Sequence, residues 1–185
     1  APHVHLPLQS GSDAVLRRMR RRYTVQEFVE AVRRVREALD EPAITTDVIA
    51  GFPGETEADF EATVAVCRAI RFTRMHVFAF SPRPGTPAAT CDHQVSATAV
   101  RERAAVLRGL ACELARDWHR RWIGHEVEML VERWSAETGR AAGHCARYCP
   151  VEAVCPRDPR DTPLVRVRVT GADADGLRGE LLESS

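Results

Sequence analysis

The chain has 185 residues, 44% hydrophobic and 28% charged, with a formal net charge of zero at pH 7. No apolar run approaches the ~20 residues that cross a bilayer. The first residues, APHVHLPLQ, also lack the basic and apolar regions of a secretory signal. These features argue against a membrane or secreted protein and predict a cytoplasmic globular chain with one medium domain or two small ones.

Strand and helix patterns alternate over the first two thirds of the chain. Thr24 with Glu27, and Thr56 with Asp59, have the spacing of capping boxes and mark two helix starts. The resulting order of strand and helix, repeated three times, is typical of parallel β/α units. The predicted elements are a strand at His3–Gln9, a short helix at Ala14–Arg20, a longer helix from Thr24, a strand at Ala43–Ala50, a helix from Thr56 to Ile70, a strand at Met75–Phe80 and a long helix after Ser96.

A closed β/α barrel needs about eight strands, and this stretch supplies too few. The chain also begins at Ala1 rather than at Met, with strand-like residues within two positions. We therefore expect a piece of a longer protein whose other strands lie outside the sequence. A small open sheet is the alternative.

Each predicted strand has one apolar face and one face that carries polar or aromatic side chains. Parallel sheets that are covered on both sides are normally apolar throughout, so a polar face indicates a cavity that holds a polar ligand. The alternative is a core whose polar groups hydrogen-bond one another. The residues of this second face are His3, His5, Pro7 and Gln9, then Thr45, Asp47 and Ile49, then His76, Phe78 and Phe80.

Glycine-rich segments follow the predicted strands, where ligands bind in parallel β/α folds. GFPGE is not a dinucleotide fingerprint, and a phosphate-binding loop lysine is impossible because all 26 basic residues are Arg. Gly51 and Gly54 would let the backbone approach a flat or zwitterionic ligand, and helix N-terminal amides could bind its carboxylate.

Three of the six cysteines, Cys145, Cys149 and Cys155, lie close together. Such a group could indicate a metal or iron–sulfur site. The spacing of the last pair is too long for a compact cluster motif, and Pro150 and Pro156 interrupt the segment. We expect these side chains to be small apolar residues of a strand, with no metal site in the chain.

The segments HVHLPLQSGSD, RRMRRRYT, ITTDVIAGFPGETEADFE and HVFAFSPRPGTPAA follow one another along the chain. They resemble, in order and spacing, the second half of the radical S-adenosylmethionine core of the tRNA methylthiotransferases, from Pro2 to about Trp122. The resemblance implies an α/β fold in which residues 1–122 form the C-terminal part of a partial TIM-type barrel. The amino-acid sequences of these segments are closer to the threonylcarbamoyladenosine branch than to the isopentenyladenosine branch. This likeness implies methylthio transfer to C2 of N6-threonylcarbamoyladenosine next to the anticodon.

The same resemblance implies S-adenosylmethionine and two 4Fe–4S clusters as cofactors, tRNA as the partner, and an electron donor for the cluster. No triplet of cysteines fits the C-x3-C-x2-C motif of the family, so the cluster ligands are expected upstream of residue 1. One cluster would cleave S-adenosylmethionine to a radical that abstracts hydrogen from the adenine, and the other would deliver sulfur. We expect the 185-residue chain alone to be inactive.

By position in the family pattern, several residues are expected to bind the cofactor, whereas no catalytic residue is assigned. Glu55 has a competing explanation as an acid in the first turn of a helix. The cofactor-binding candidates are Gln9, Ser10, Asp47, Ile49, Gly51, Phe78 and Phe80.

Residues 123–185 have a different pattern, with short strands such as HEVEMLVER and LVRVRVTG separated by turns. We expect a small antiparallel β-barrel, which resembles the OB-like TRAM domain, an RNA-binding module of these enzymes. Outward arginines would then contact RNA phosphates, with a merely solvated face as the alternative. The RNA-binding candidates are Arg83, Arg166, Arg168 and Arg178. The run Arg17, Arg18, Arg20, Arg21 and Arg22 could contact RNA phosphates or could be a solvated helix end, and both alternatives stay open.

Two other classes of function stay open at this point. An isopentenyladenosine enzyme is the alternative within the family, and an RNA-binding module without catalysis is the alternative outside it. An aldolase-like β/α enzyme is disfavoured because the chain has no lysine for a Schiff base.

Overall fold

The computed structural model describes residues 1–159 and 163–182. The chain forms two compact units, one from Val4 to Ala111 and the other from Ala1–His3 with Cys112–Ser185. The boundary between these units falls inside the longest helix of the described chain. In the described residues, no helix combines the length and the apolar character that crossing a bilayer requires.

The first unit contains a three-stranded sheet with four α-helices along its chain. The strands are β1 (His3–His5), β2 (Ala43–Ala50) and β3 (Arg74–Ala79), in the order β1-β2-β3, and β2 pairs with β3 in parallel. This arrangement agrees with the expected β/α pattern. The helices are α1 (Asp13–Arg18), α2 (Val25–Ala38), α3 (Glu57–Ile70) and α4 (Ala97–Arg120), of which α4 continues into the second unit, and a short 3-10 helix covers Pro87–Ala89.

Both predicted capping boxes are confirmed. The Thr24 side chain accepts from the Glu27 N–H at the start of α2, and Thr56 accepts from Asp59 in the same way at α3. Each pair satisfies two backbone donors that the helix itself cannot pair.

The first strand and first helix are shorter than predicted. The expected strand extended to Gln9, but the regular strand ends at His5, because Pro7 has no N–H and Gln9 adopts a φ of 65°. The chain nevertheless stays beside β2, since the Gln9 N–H donates to the Asp47 carbonyl at 2.8 Å. The helix ends at Arg18 because Arg20 lies in the left-handed region, at φ 57°.

The second unit contains a closed five-stranded barrel with the strand order β4-β5-β6-β8-β7. β4 buries Val127 and Met129, and β7 buries Val167 and Val169, while Arg166 and Arg168 lie outside as predicted. The strands are β4 (Glu126–Ser135), β5 (Arg140–Cys145), β6 (Pro150–Val154), β7 (Leu164–Ala172) and β8 (Leu177–Leu181).

Two predictions about this barrel are wrong. It is not purely antiparallel, because β6 and β8 pair in parallel. A closed ring with an odd number of strands cannot alternate direction throughout, so at least one parallel pair is required. The residues SAETGRAAGH, Ser135–His144, predict a turn-rich stretch before a strand that starts at Cys145, but Arg140–Cys145 forms β5. Gly143 misled the prediction, since a side chain there would overlap the Leu130 carbonyl of the neighbouring strand.

Candidate functional site

The predicted polar face of the sheet is present at the carboxyl ends of β2 and β3. Asp47 pairs in register with His76, and Ile49 pairs with Phe78. Register partners in a parallel pair point to the same side of the sheet, so these four side chains share a face.

Gln9 is held against this face by its backbone. The Gln9 N–H donates to the Asp47 carbonyl at 2.8 Å, and its own carbonyl accepts from the Ile49 N–H at 2.9 Å. The residue is 7% exposed, and no hydrogen bond from a described residue reaches its side-chain amide. The amide atoms reach solvent, so they can hydrogen-bond either water or a ligand.

Ser10 is placed differently from Gln9. Its side chain is fully buried, lies 3.3 Å from the Thr63 hydroxyl and accepts from the Ser12 N–H at 3.2 Å. The hydroxyl is therefore used inside the fold, where it joins the start of α1 to α3.

Asp47 is the carboxylate of the face and has a histidine neighbour that the sequence did not reveal. Its Oδ2 lies 3.4 Å from Nε2 of His5, while Nδ1 of that ring lies 3.0 Å from the Thr45 hydroxyl. The His5 and His76 rings are 6.2 Å apart. The Asp47 side chain is 28% exposed, so one carboxylate edge remains open to a ligand donor.

The glycine turn after β2 is fixed by a buried ion pair. The Gly51 N–H donates to Glu55 Oε1 at 3.0 Å, and the same oxygen accepts from Arg103 Nη1 at 2.8 Å. Burial raises the pKa of Glu55, against the opposing effects of the Gly51 N–H and of Arg103. Glu55 therefore has a structural role, but not the predicted one of an acid in the first helical turn, because α3 begins at Glu57. Gly51 has a φ of 78°, and a side chain there would overlap Val100.

Aromatic side chains complete the site. Phe78 is 53% exposed on β3. Phe80 contacts Phe52 of the glycine turn edge to face, with ring centroids 5.3 Å apart. The flat apolar surfaces, the Gln9 amide and the Asp47 carboxylate match the parts of a nucleoside with an amino-acid tail, so these residues fit S-adenosylmethionine.

The described residues hold no group of three or more His, Cys, Asp or Glu side chains that could bind a metal ion. Cys145, Cys149 and Cys155 are buried, as expected, but of the three only Cys145 lies in a strand, since β6 covers Pro150–Val154. A hydrogen bond from the Cys149 side chain lowers the pKa of Cys145 to about 6, although burial opposes it.

The predicted RNA-binding arginines lie on the surface. Arg83 is exposed in the loop after β3, where its carbonyl accepts from the Thr86 hydroxyl at 2.8 Å. The barrel arginines have carboxylate partners: Glu126 lies 2.7 Å from Arg168 and 3.7 Å from Arg166, and Asp173 lies 3.1 Å from Arg178. The sequence missed these pairs because each depends on strand register or loop geometry.

Residues 1–67 match the sequence model of the Radical SAM superfamily. The chain is also similar to curated proteins named tRNA-2-methylthio-N(6)-dimethylallyladenosine synthase. It is 52% identical to the protein of Frankia alni, over 98% of this chain and 34% of that protein. It is 48% identical to that of Acidothermus cellulolyticus, over 92% of this chain and 35% of the relative. The chain thus spans about a third of the length of the curated relatives it matches.

These names correct one prediction. The amino-acid sequences of the glycine turn and of β3 favoured the threonylcarbamoyladenosine branch. The relatives, however, are named for dimethylallyladenosine, the isopentenyl-type substrate. The assignment to the threonylcarbamoyladenosine branch is therefore wrong. The two segments that suggested it, Ile44–Thr56 and Thr73–Thr86, contain five of the residues expected to bind the cofactor, so they say little about the adenine substituent.

Proposed function

We propose that this chain is part of a radical S-adenosylmethionine enzyme that transfers a methylthio group to N6-dimethylallyladenosine in tRNA, in the cytoplasm. The observation that carries the proposal is the 52% identity to a protein named for this activity, across 98% of the chain. The match of residues 1–67 to the Radical SAM superfamily supports the same reaction class.

In this proposal, Gln9, Asp47, Phe78 and Phe80 hold S-adenosylmethionine at the carboxyl edge of the sheet. The cofactor, with an iron–sulfur cluster bound elsewhere in the longer protein and an electron donor, supplies the radical chemistry. The Gln9 amide and Asp47 carboxylate hydrogen-bond polar groups of the cofactor, Ile49 and the Gly51 backbone lie against its flat part, and Ser10 keeps the Gln9 backbone in place. His5 orients Asp47 through the 3.4 Å contact.

Residues 1–122 would then be the C-terminal part of the catalytic barrel, and residues 123–185 a TRAM-like, OB-like RNA-binding domain. The closed five-stranded barrel supports this second assignment. We propose that Arg83, Arg166, Arg168 and Arg178 contact the tRNA backbone, since all four are on the surface and phosphate binding needs no base-specific geometry.

The test is product analysis in cells. The longer protein that contains this chain is expressed in a bacterial strain lacking the methylthiotransferase, and tRNA nucleosides are separated and identified by mass spectrometry. We expect 2-methylthio-N6-dimethylallyladenosine to appear. Its absence, with protein and precursor nucleoside both present, would contradict the proposal and favour an RNA-binding module without catalysis.

Asp47→Ala in the longer protein tests the assignment of the cofactor site. Loss of one partly buried hydrogen-bond partner should weaken S-adenosylmethionine binding by about 1–3 kcal/mol in a calorimetric titration. Glu102→Ala, which removes an exposed acid from α4, is the control. Equal affinity of the two variants would remove Asp47 from the site.

A further inference from the structure

A cavity of about 420 Å³ lies within the first unit, beside the carboxyl end of β2. Its walls come from three segments that are distant in sequence: the residues after α1, the glycine turn and the loop after β3. The lining includes Arg18, Arg20, Arg21, Ile49, Phe52 and Cys91.

One wall of the cavity is strongly basic. Arg18 interacts electrostatically with Asp59, but no described residue forms an ion pair or hydrogen bond with the guanidinium of Arg20 or Arg21. The backbone at this wall is ordered by hydrogen bonds: Arg20 N–H donates to the Arg17 carbonyl at 3.0 Å, and Arg21 N–H to the Leu16 carbonyl at 2.9 Å. Adjacent guanidiniums without carboxylates raise the local affinity for anions, above all for phosphate.

Another part of the cavity lining is apolar and partly aromatic. It includes Ile49 and Phe52, and the Phe52 ring is positioned by its edge-to-face contact with Phe80. An aromatic ring and several guanidiniums lining one cavity are the combination by which proteins bind single-stranded RNA, where the base stacks and the phosphates meet the cations. A cavity within the range of roughly 300–1,000 Å³ holds a ligand-sized group.

We propose that this cavity binds one nucleotide of the single-stranded anticodon loop, with its phosphates on Arg20 and Arg21 and its base against Phe52. The inference rests on the proposed tRNA substrate and names the contact that the sheet unit makes with it. A nucleotide is favoured over the cofactor carboxylate because a single carboxylate would leave a second guanidinium without a counter-charge.

Cysteine reactivity offers a direct test. Cys91 lines the cavity and is exposed, whereas Cys112 is exposed on α4 and does not line it; the other described cysteines are buried. The full 185-residue chain is treated with a maleimide with and without a single-stranded anticodon-loop oligonucleotide, and alkylation of each cysteine is followed by mass spectrometry. RNA should slow the reaction of Cys91 several-fold and leave Cys112 unchanged. S-Adenosylmethionine replaces RNA in a parallel arm.

The second measurement is RNA affinity over a series of salt concentrations. The double variant Arg20→Gln with Arg21→Gln should lower affinity and make the log–log salt dependence shallower by about 1.4, at about 0.7 for each lost single-strand phosphate contact. The double variant Arg34→Gln with Arg108→Gln removes the same charge from exposed helix positions outside the cavity and is the matched control. Phe52→Leu should weaken binding without changing the slope, because it removes stacking and no charge.

Equal salt slopes for the two double variants would overturn the inference, as would RNA that leaves Cys91 fully reactive. Protection of Cys91 by S-adenosylmethionine and not by RNA would assign the cavity to the cofactor and would also overturn it. These outcomes are independent of the enzyme assignment. If the expected nucleoside product forms but the salt slope of the Arg20 and Arg21 variant is unchanged, only the nucleotide-binding role of the cavity is contradicted. If RNA binds the cavity as expected but no product forms, only the proposed reaction is contradicted.

Discussion

In the sheet unit, Arg20 and Arg21 border a cavity without a carboxylate partner among the described residues. In the barrel, Arg166 and Arg168 share Glu126 as a partner, and Arg140 pairs with Glu152 at 2.8 Å. The sequence had favoured the barrel arginines as phosphate ligands. The comparison teaches that the number of arginines on a surface does not determine its affinity for RNA, because neighbouring carboxylates compete with phosphate for the same guanidiniums.

The ion pairs of the two units also differ in how deeply they are buried. Arg103 and Glu55 of the sheet unit have side chains that are 10% and 2% exposed, whereas Arg168 and Glu126 of the barrel are 50% and 41% exposed. Water and salt screen the second pair and hardly reach the first. The two pairs therefore differ in their contribution to stability, although their shortest N–O distances are 2.8 Å and 2.7 Å.

The largest expected effect follows from that difference. Glu55→Ala removes one of the two carboxylates that pair with Arg103, which keeps Glu57 at 2.8 Å, and leaves the Gly51 N–H without an acceptor, so the free energy of unfolding should fall by about 2–4 kcal/mol. Glu126→Ala, which breaks the exposed pair, should change it by about 0–1 kcal/mol. Urea denaturation of the two variants measures both. Similar losses would mean that burial does not distinguish these pairs.

The two units also differ in their buried thiols. Burial raises the pKa of Cys67 on α3 to about 12, whereas the hydrogen bond from Cys149 lowers that of Cys145 to about 6. For Cys145 the folded-state pKa is below that of a free thiol, about 8.5, so the stability it contributes is present above pH 8.5. That stability, up to about 3 kcal/mol, is lost as the pH falls through 6.

The measurement is thiolate absorbance at 240 nm together with unfolding free energy between pH 5 and 9. We expect a titration near pH 6 and a rise of stability with pH over that range, both abolished by Cys145→Ser. Cys67→Ser should change neither. A titration that persists without Cys145 would assign the thiolate to another residue.

Local signals explain what the sequence predicted. The pairs Thr24 with Glu27 and Thr56 with Asp59 lie three residues apart, so capping boxes could be read directly and are confirmed. The alternating faces of β2 and β3 were likewise predictable, since side chains alternate with a fixed period of two. The shared face of Asp47 and His76 follows from that alternation once the strands pair in register.

Contacts between distant residues could not be predicted in this way. Glu126 and Arg168 are 42 positions apart and meet only because β4 and β7 pair in one particular register. The cavity likewise depends on the meeting of three separate segments. The strand β5 was missed because its small residues, including Gly143, resemble a turn, whereas the close approach of Leu130 requires glycine there.

A smaller effect is expected from Gly54→Ala in the sheet unit. Gly54 has a φ of 80°, where an alanine costs roughly 1–2 kcal/mol, and its methyl group would overlap the Arg18 guanidinium. The variant should therefore lose about that much stability and displace Arg18 from the cavity wall, which lowers RNA affinity. Gly139→Ala in the barrel is the matched control, since it also has a positive φ, 60°, but open space around it. Equal RNA affinity of the two variants would mean that Arg18 has no part in binding.

The smallest expected effect concerns the barrel. The experiment tests whether its arginines bind RNA once their carboxylate partner is removed. Glu126→Gln removes the carboxylate that lies 2.7 Å from Arg168 and 3.7 Å from Arg166, so both guanidiniums become available to phosphate. If this face contacts RNA, affinity should rise a few-fold and the log–log salt dependence should steepen by up to about 0.7 for each new single-strand contact. Glu61→Gln, an equal charge change at an exposed position of α3, measures the effect of net charge alone. An equal change in both variants would show that the Arg166 and Arg168 face lies outside the RNA interface, because freeing its guanidiniums would then add nothing beyond the lost negative charge.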